Sequence, residues 1–270
     1  VWDRRYQDQF ANVLRLYFNQ LSAALQQLGG DQGGYHLSFP CGAFHQDGET
    51  TLSSGITNVS TTPISVASTD GFPSSGWILI GTEIISYTTK TGAPSPTFDG
   101  TITRGVLGTT NVAHSAGDAV TEVQGTGSPT TIGTVLFNYT DYSNGVYAST
   151  DYTKLYFDKS GVYNLQLSLQ MLNFTTSDDN VTVWLRQNGN DVSATAGVIT
   201  VPSKHGTTPG AIIASWNYVI EISGGDYVSL AWASDSGNTV IGTYPSGTGP
   251  VHPSSPGVIF TATFVSAPTE

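Results

Sequence analysis

Tyrosines and acidic residues are the side chains of this chain whose spacing could do chemistry. Tyr139, Tyr142, Tyr147 and Tyr152 fall within "NYTDYSNGVYASTDY", a polar stretch with Asn and Asp between the rings, and Tyr244 opens the Gly/Pro-rich "TYPSGTGPVHPSSPG". Tyrosines beside amides and carboxylates suit sugar faces, which offer surface for stacking and hydroxyls for hydrogen bonds. The same rings suit a subunit interface, and spacing leaves both readings open. Asp178, Asp179 and Asn180 form the densest acidic cluster, in the turn before "VTVWLRQ". Oxygen-rich turns can hold calcium, but Asp and Asn also favour hairpin tips without any ligand. No cofactor is expected, calcium at these three residues being the alternative.

Little else has the form of a catalyst. His36, His45, His114, His205 and His252 are scattered, without the spacing of three or four that places two ligands on one helical face. There is no G-x-S-x-G elbow, P-loop, H-E-x-x-H or dinucleotide fingerprint. A carboxylate pair across a cleft, as in glycoside hydrolysis, leaves no sequence signature. No enzyme is expected, and a polysaccharide depolymerase is the enzymatic alternative.

Composition narrows the partners. Nine basic against twenty acidic residues give a net charge of -11, which repels a phosphate backbone, so nucleic acid is not expected. Only 11% of residues are charged, and Ser, Thr, Gly and Asn take the place of Lys and Glu. Cys41 is the single cysteine, which excludes an internal disulfide. No apolar run approaches the roughly 20 residues of a membrane helix, so no membrane insertion is expected. The amphipathic start does not read as a signal peptide, and the sequons at Asn58, Asn138, Asn173 and Asn180 read as chance in a Ser/Thr-rich chain.

The elements that must position these groups are of two kinds. Residues 1–30 read as a helix: Phe10, Leu14, Tyr17, Leu21, Ala24 and Leu28 form a heptad stripe, widened by Val13, Leu16, Phe18 and Leu25, and Gly29 and Gly30 end it. Burying such a stripe does not offset the ordering of about 26 residues, so the helix needs a partner. Phe10, Leu14, Tyr17, Leu21, Leu25 and Leu28 are therefore expected to anchor or oligomerise the chain. From residue 50 the pattern becomes period two. Residues 31–49 read as a connector, 50–124 as a small all-β module with a bulge near Gly81, 125–133 ("GTGSPTTIG") as a linker, and 134–270 as an antiparallel sandwich. The expected fold class is mainly β with an N-terminal α-helix.

Three stretches add a resemblance. "YFDKSGVYNLQLSLQ", with Phe157, Gly161, Tyr163, Leu165 and Leu167, resembles the aromatic and G-x-Y-x-hydrophobic pattern of the complement globular-head and tumour necrosis factor superfamily. "SGGDYVSLAWAS" and the closing "VIFTATFVS" are similar to its later strands. Over about residues 130–270 this resemblance implies a jelly roll that assembles as a homotrimer. The N-terminal "WDRRYQDQFANVLRLYFNQLSAALQQL" and the middle "GFPSSGWILIGTEIISY" and "RGVLGTTNVAHSAGD" resemble pieces of tailed-phage virion proteins. That likeness implies a virion location, a helix docked on other virion proteins of tail or capsid, and a head facing a host glycan or protein. A fibre-like appendage is the expected function, with a capsid decoration or cement protein as the alternative.

Overall fold

The computed structural model describes Phe10, residues 12–22 and residues 39–267. The chain divides into two compact units between Phe39 and Pro40.

In the first unit residues 12–22 are helical, as the heptad stripe predicts. Leu14, Tyr17 and Leu21 recur at intervals of three and four, and the Asn12 side chain accepts a hydrogen bond from Arg15 Nη2 at 3.0 Å. Phe10, Val13, Leu14, Leu16, Tyr17, Phe18 and Leu21 are all between 39% and 63% exposed. Leu25 and Leu28, expected to continue the stripe, lie outside the described residues.

The second unit is built on two antiparallel sheets. The larger has ten strands. Its spine is Gly161–Asn173, paired along its full length with Gly210–Ile222 on one side and with Val258–Ser266 on the other. Cys41–Gln46 and Tyr139–Asn144 extend it beyond Val258–Ser266. The last three residues of the spine pair instead with Thr239–Gly242, which pairs with Ala119–Gly125 and so carries the sheet on to the hairpin Gly76–Ile80 and Glu83–Tyr87. The facing sheet runs Val146–Ala148, Leu155–Phe157, Tyr227–Ser234, Asp179–Gln187, with Gly197–Val201 along the far side of Asp179–Gln187.

The period-two pattern places the core. Tyr163, Leu165, Leu167, Leu169 and Met171 point from the spine to one face, where they meet Val181, Val183, Leu185, Leu230 and Trp232 of the facing sheet in one buried cluster. Gly161 begins this run because the Phe264 ring lies where its Cβ would stand. From Gln170 onward the other face is buried as well, and Leu172 packs with Leu79, Ile84, Val123 and Val240.

Two boundaries differ from expectation. Residues 31–49, read as a connector, contain the sheet strand Cys41–Gln46. Residues 125–133, read as a linker, are tied in at both ends: Gly125 pairs with Val240, and Gly133 with Trp232. The bulge expected near Gly81 is a two-residue hairpin turn, closed by the pair Ile80 and Glu83. Gly81 sits at a φ of 60° at the first turn position, the conformation of a type II′ turn, and this breaks the alternation of "GWILIGTEIISY".

Residues 50–124 enclose a second apolar cluster, including Ile64, Phe72, Ile78, Ile85, Tyr87 and Phe98. Beside it lies a buried ionic knot. Glu83 accepts hydrogen bonds from Arg104 Nε at 2.6 Å and Nη2 at 2.8 Å, from the Gly105 and Val112 amides at 3.1 and 3.0 Å, and from His114 Nε2 at 2.9 Å. Arg104 also donates to the carbonyls of Thr57 and Val112, both at 2.6 Å. One carboxylate thus fixes the hairpin, residues 57–60 and the loop 104–114. Burial pushes its pKa up, but the hydrogen bonds of Arg104, Val112 and His114 outweigh burial and hold it below the ordinary 4.5.

A depressed folded value means that Glu83 contributes stability above about pH 4.5, lost as pH falls through the folded value. Glu83→Gln leaves Arg104 buried without its counter-ion, which costs about 3–5 kcal/mol. Urea titrations between pH 3 and 7 should show that loss at pH 7 and a shallower acid dependence in the variant; equal midpoints at pH 7 would contradict the role.

Candidate functional site

The tyrosines predicted from sequence do not gather in one place. Tyr139 and Tyr152 come together at a cleft of about 550 Å³ in the second unit. One wall is the loop of Asp70, Gly71, Phe72 and Pro73; the other comes from residues 136–139 and 150–152. Strand Ala119–Gly125 supplies the floor, because Glu122 on this strand is fully buried and lines the cleft.

Backbone pairing sets up this geometry. His45 and Tyr139 are cross-strand partners, and their rings stack at 5.0 Å with an interplanar angle of 4°. His45 Nδ1 lies 2.8 Å from Asp141 Oδ2, so the imidazole is held from both sides. Asn138 Nδ2 donates to Glu122 Oε2 at 2.7 Å and to the Gly71 carbonyl. Lys90 Nζ donates to the carbonyls of Thr69, at 2.8 Å, and Phe72, which fastens the loop wall from beneath. Opposite, Tyr152 sits at a φ of 60°, a conformation uncommon outside glycine, and its ring is half exposed at the cleft mouth.

Electrostatically the cleft is acidic. Burial pushes the Glu122 carboxyl up to about 7; hydrogen bonds from Gln46 and Asn138 and the charge of Lys90 oppose the shift, and Asp47 adds to it. Burial also raises the Tyr139 hydroxyl, with Asp47, Glu122 and Asp70 contributing. At the mouth, hydrogen bonds from Ser149 and Thr153 draw the exposed Asp151 down to about 2. Glu122 Oε1 and Asn138 Oδ1 are buried and accept no hydrogen bond from the described residues. A set of acceptors without donors, beside aromatic rings, is suited to a ligand that brings its own donors.

No family model matches this chain, and no curated protein matches it.

The other predicted tyrosines lie elsewhere. Tyr147 stacks on Tyr156 at 5.6 Å, and Tyr156 leans on Tyr227 at 5.4 Å, forming a ladder across three strands of the facing sheet with Lys154 Nζ 5.5 Å from the Tyr227 ring. Period-two reading of "LYF" sends Leu155 and Phe157 inward, so Tyr156 had to face out. Tyr142 is exposed on the edge strand Tyr139–Asn144, and Tyr244 packs against the Leu172 cluster. The acidic triplet is dispersed by strand alternation. Asp179 turns inward and accepts from Ser234, Ser236 and Thr239, Asp178 accepts from the Ser203 amide, and Asn180 reaches Thr200 and Asp235. Among the described residues no group of three His, Cys, Asp or Glu side chains is placed to hold a metal, and no helix is long and apolar enough to cross a membrane.

Because the folded pKa of Glu122 lies near 7 and the ordinary value is 4.5, its burial favours the protonated folded state. The stability it contributes is full below about pH 4.5 and is lost as pH rises through about 7. Thermal melts at pH 5 and pH 8 should therefore differ less in Glu122→Gln than in the parent chain, with the variant a few degrees more stable at pH 8 at about 2–4 °C per kcal/mol. Parallel pH profiles would show that the carboxyl is not held in a raised state.

Proposed function

We propose that the chain is a structural component of a tailed-phage virion, a homotrimeric fibre-like appendage anchored by its N-terminal helix, whose β body meets the host surface. The observation that carries the reading is the helix itself. Among the described residues its large aromatic and aliphatic side chains are exposed, a surface that water disfavours and that a larger assembly would cover. The same observation serves a capsid decoration protein, and the two readings part on whether the helix binds tail or capsid proteins.

Strand order supports a jelly roll. One sheet runs Cys41–Gln46, Val258–Ser266, Gly161–Asn173, Gly210–Ile222; the other runs Leu155–Phe157, Tyr227–Ser234, Asp179–Gln187, Gly197–Val201. In chain order these strands pass from one sheet to the other at every step but one, the hairpin of Asp179–Gln187 and Gly197–Val201, as in paired Greek keys. The outer face of the larger sheet supports self-association. Gly210–Ile222 pairs with no further strand among the described residues, and Ile213 and Val219 on it are 69% and 64% exposed. Nearby, Ser168, Asn217, Ile259 and Thr261 line a shallow depression without a charge. In this reading the body works by avidity, several weak contacts acting together through a raised effective concentration.

Light scattering on the whole chain and on a chain beginning at Phe39 is expected to give a trimer for both. Val219→Glu should dissociate that trimer while leaving the circular dichroism spectrum unchanged. Monomers for both parent chains would sink the appendage reading, and a trimer only with the helix present would move assembly from the body to the helix.

A further inference from the structure

We propose that the cleft between the Asp70–Pro73 loop and the Asn138–Tyr139 and Asp151–Tyr152 segments binds a neutral saccharide and discriminates against acidic sugars. This names the ligand for the surface-binding half of the reading above, and rests on it to that extent.

Two buried oxygens mark the site. Glu122 Oε1 and Asn138 Oδ1 are both buried and without donors, while their sister atoms Glu122 Oε2 and Asn138 Nδ2 bond to each other at 2.7 Å. These two buried acceptors therefore belong to groups held side by side in fixed orientation. An unsatisfied buried acceptor costs about 1–3 kcal/mol, a penalty that a ligand hydroxyl removes on binding. Lys90, the cation of the lining, has its ammonium turned to the Thr69 and Phe72 carbonyls, so it serves the loop. At the mouth the acidic groups are Asp70 and Asp151, the latter with Lys154 Nζ at 3.7 Å, while the buried Glu122 carboxyl favours its protonated form below about pH 7. A carboxylate-bearing sugar meets repulsion there, whereas a neutral sugar presents hydroxyl donors to the acceptors and C–H surface to Tyr139 and Tyr152. The volume, about 550 Å³, lies within the range of small-molecule sites. Tyr152, set outward by its left-handed backbone, is the ring placed to cap a bound sugar.

Calorimetric titration of the whole chain tests this with methyl glucoside, methyl galactoside and methyl mannoside as neutral probes, and glucuronate and N-acetylneuraminate as acidic ones. At least one neutral probe is expected to bind, at least ~10-fold more tightly than either acid. At pH 8, above the raised Glu122 value, Glu122→Gln, which turns an acceptor into a donor, and Tyr152→Ala, at an exposed turn that does not carry the core, should each weaken binding ~10-fold, about 1.4 kcal/mol. Failure of all neutral probes to bind, equal binding of the acids, or affinity unchanged in Tyr152→Ala would each overturn the proposal. Mass and binding are read separately. A trimer that binds no sugar removes this inference alone, and a monomer that binds sugar removes the assembly reading alone.

Discussion

The thirteen-residue strand Gly161–Asn173 sets the terms for the rest of the molecule, because its two halves solve different burial problems. Up to Leu169 it has one apolar face, turned to the facing sheet, and its outward positions Asn164, Gln166 and Ser168 are polar. From Gln170 both faces are buried, and Met171 and Leu172 serve separate cores. The change coincides with a change of partner on one edge, from Val258–Ser266 to Thr239–Gly242. Through that second partner residues 49–125 join the sandwich as a continuation of the same sheet, by backbone pairing instead of a tether. The candidate cleft lies where this continuation brings residues 70–73 and 122 against residues 136–152. Its walls belong to different stretches of chain, but one sheet holds them.

Two buried carboxyls show how differently the fold treats charge. Glu83 has every oxygen satisfied by donors from Arg104, His114 and two backbone amides, and its pKa falls in spite of burial. Such saturation is what a structural group requires. Glu122 has Oε2 engaged by Asn138 and Oε1 without a donor among the described residues, and its pKa rises because burial outweighs Gln46, Asn138 and Lys90 together. A core strand flanked by Val120 and Val123 would be better served by an apolar residue or a saturated one. Asn138, Gln46 and Lys90 offset that cost only in part, which leaves room for a further partner from outside the chain.

Much of this architecture is written in period and punctuation. The heptad stripe marks the helix, and period-two runs mark most sandwich strands, including Leu165 and Leu167 on the core face. What is not legible depends on distant contact. "CGAFHQ" has too few aliphatic residues to announce a strand, and its place in the sheet comes from Tyr139–Asn144 and Val258, some hundred and two hundred residues away. Tyr147 lies beyond the turn at Gly145, on a strand of the other sheet, and Tyr152 returns to the cleft beside Tyr139 only through the loop that follows that strand. Glu122 leaves only a faint signal, an acid among apolar neighbours in "AVTEVQG". The groups around it, Gln46, Asp47, Lys90 and Asn138, are scattered through the sequence, so no local window reveals the site.

The low charge content has a structural consequence for assembly. Around the middle of the outer face of the large sheet the positions are Ile213, Ser215, Asn217, Val219, Ile259 and the half-buried Thr261, polar without charge or plainly apolar, and Glu221 is the charged residue at the end of the same row. Short uncharged side chains leave water at small cost and can hydrogen bond across a contact, whereas Lys or Glu would carry a desolvation penalty of several kcal/mol per ion into any interface. The acidic groups are instead concentrated at the cleft and in turns such as Asp151, Asp178 and Asp226. A net charge of -11 on so few charged residues then acts against unspecific association, while the uncharged middle of the sheet face stays open to specific contact. The distribution of charge therefore separates the surface suited to building an assembly from the surface suited to meeting a ligand.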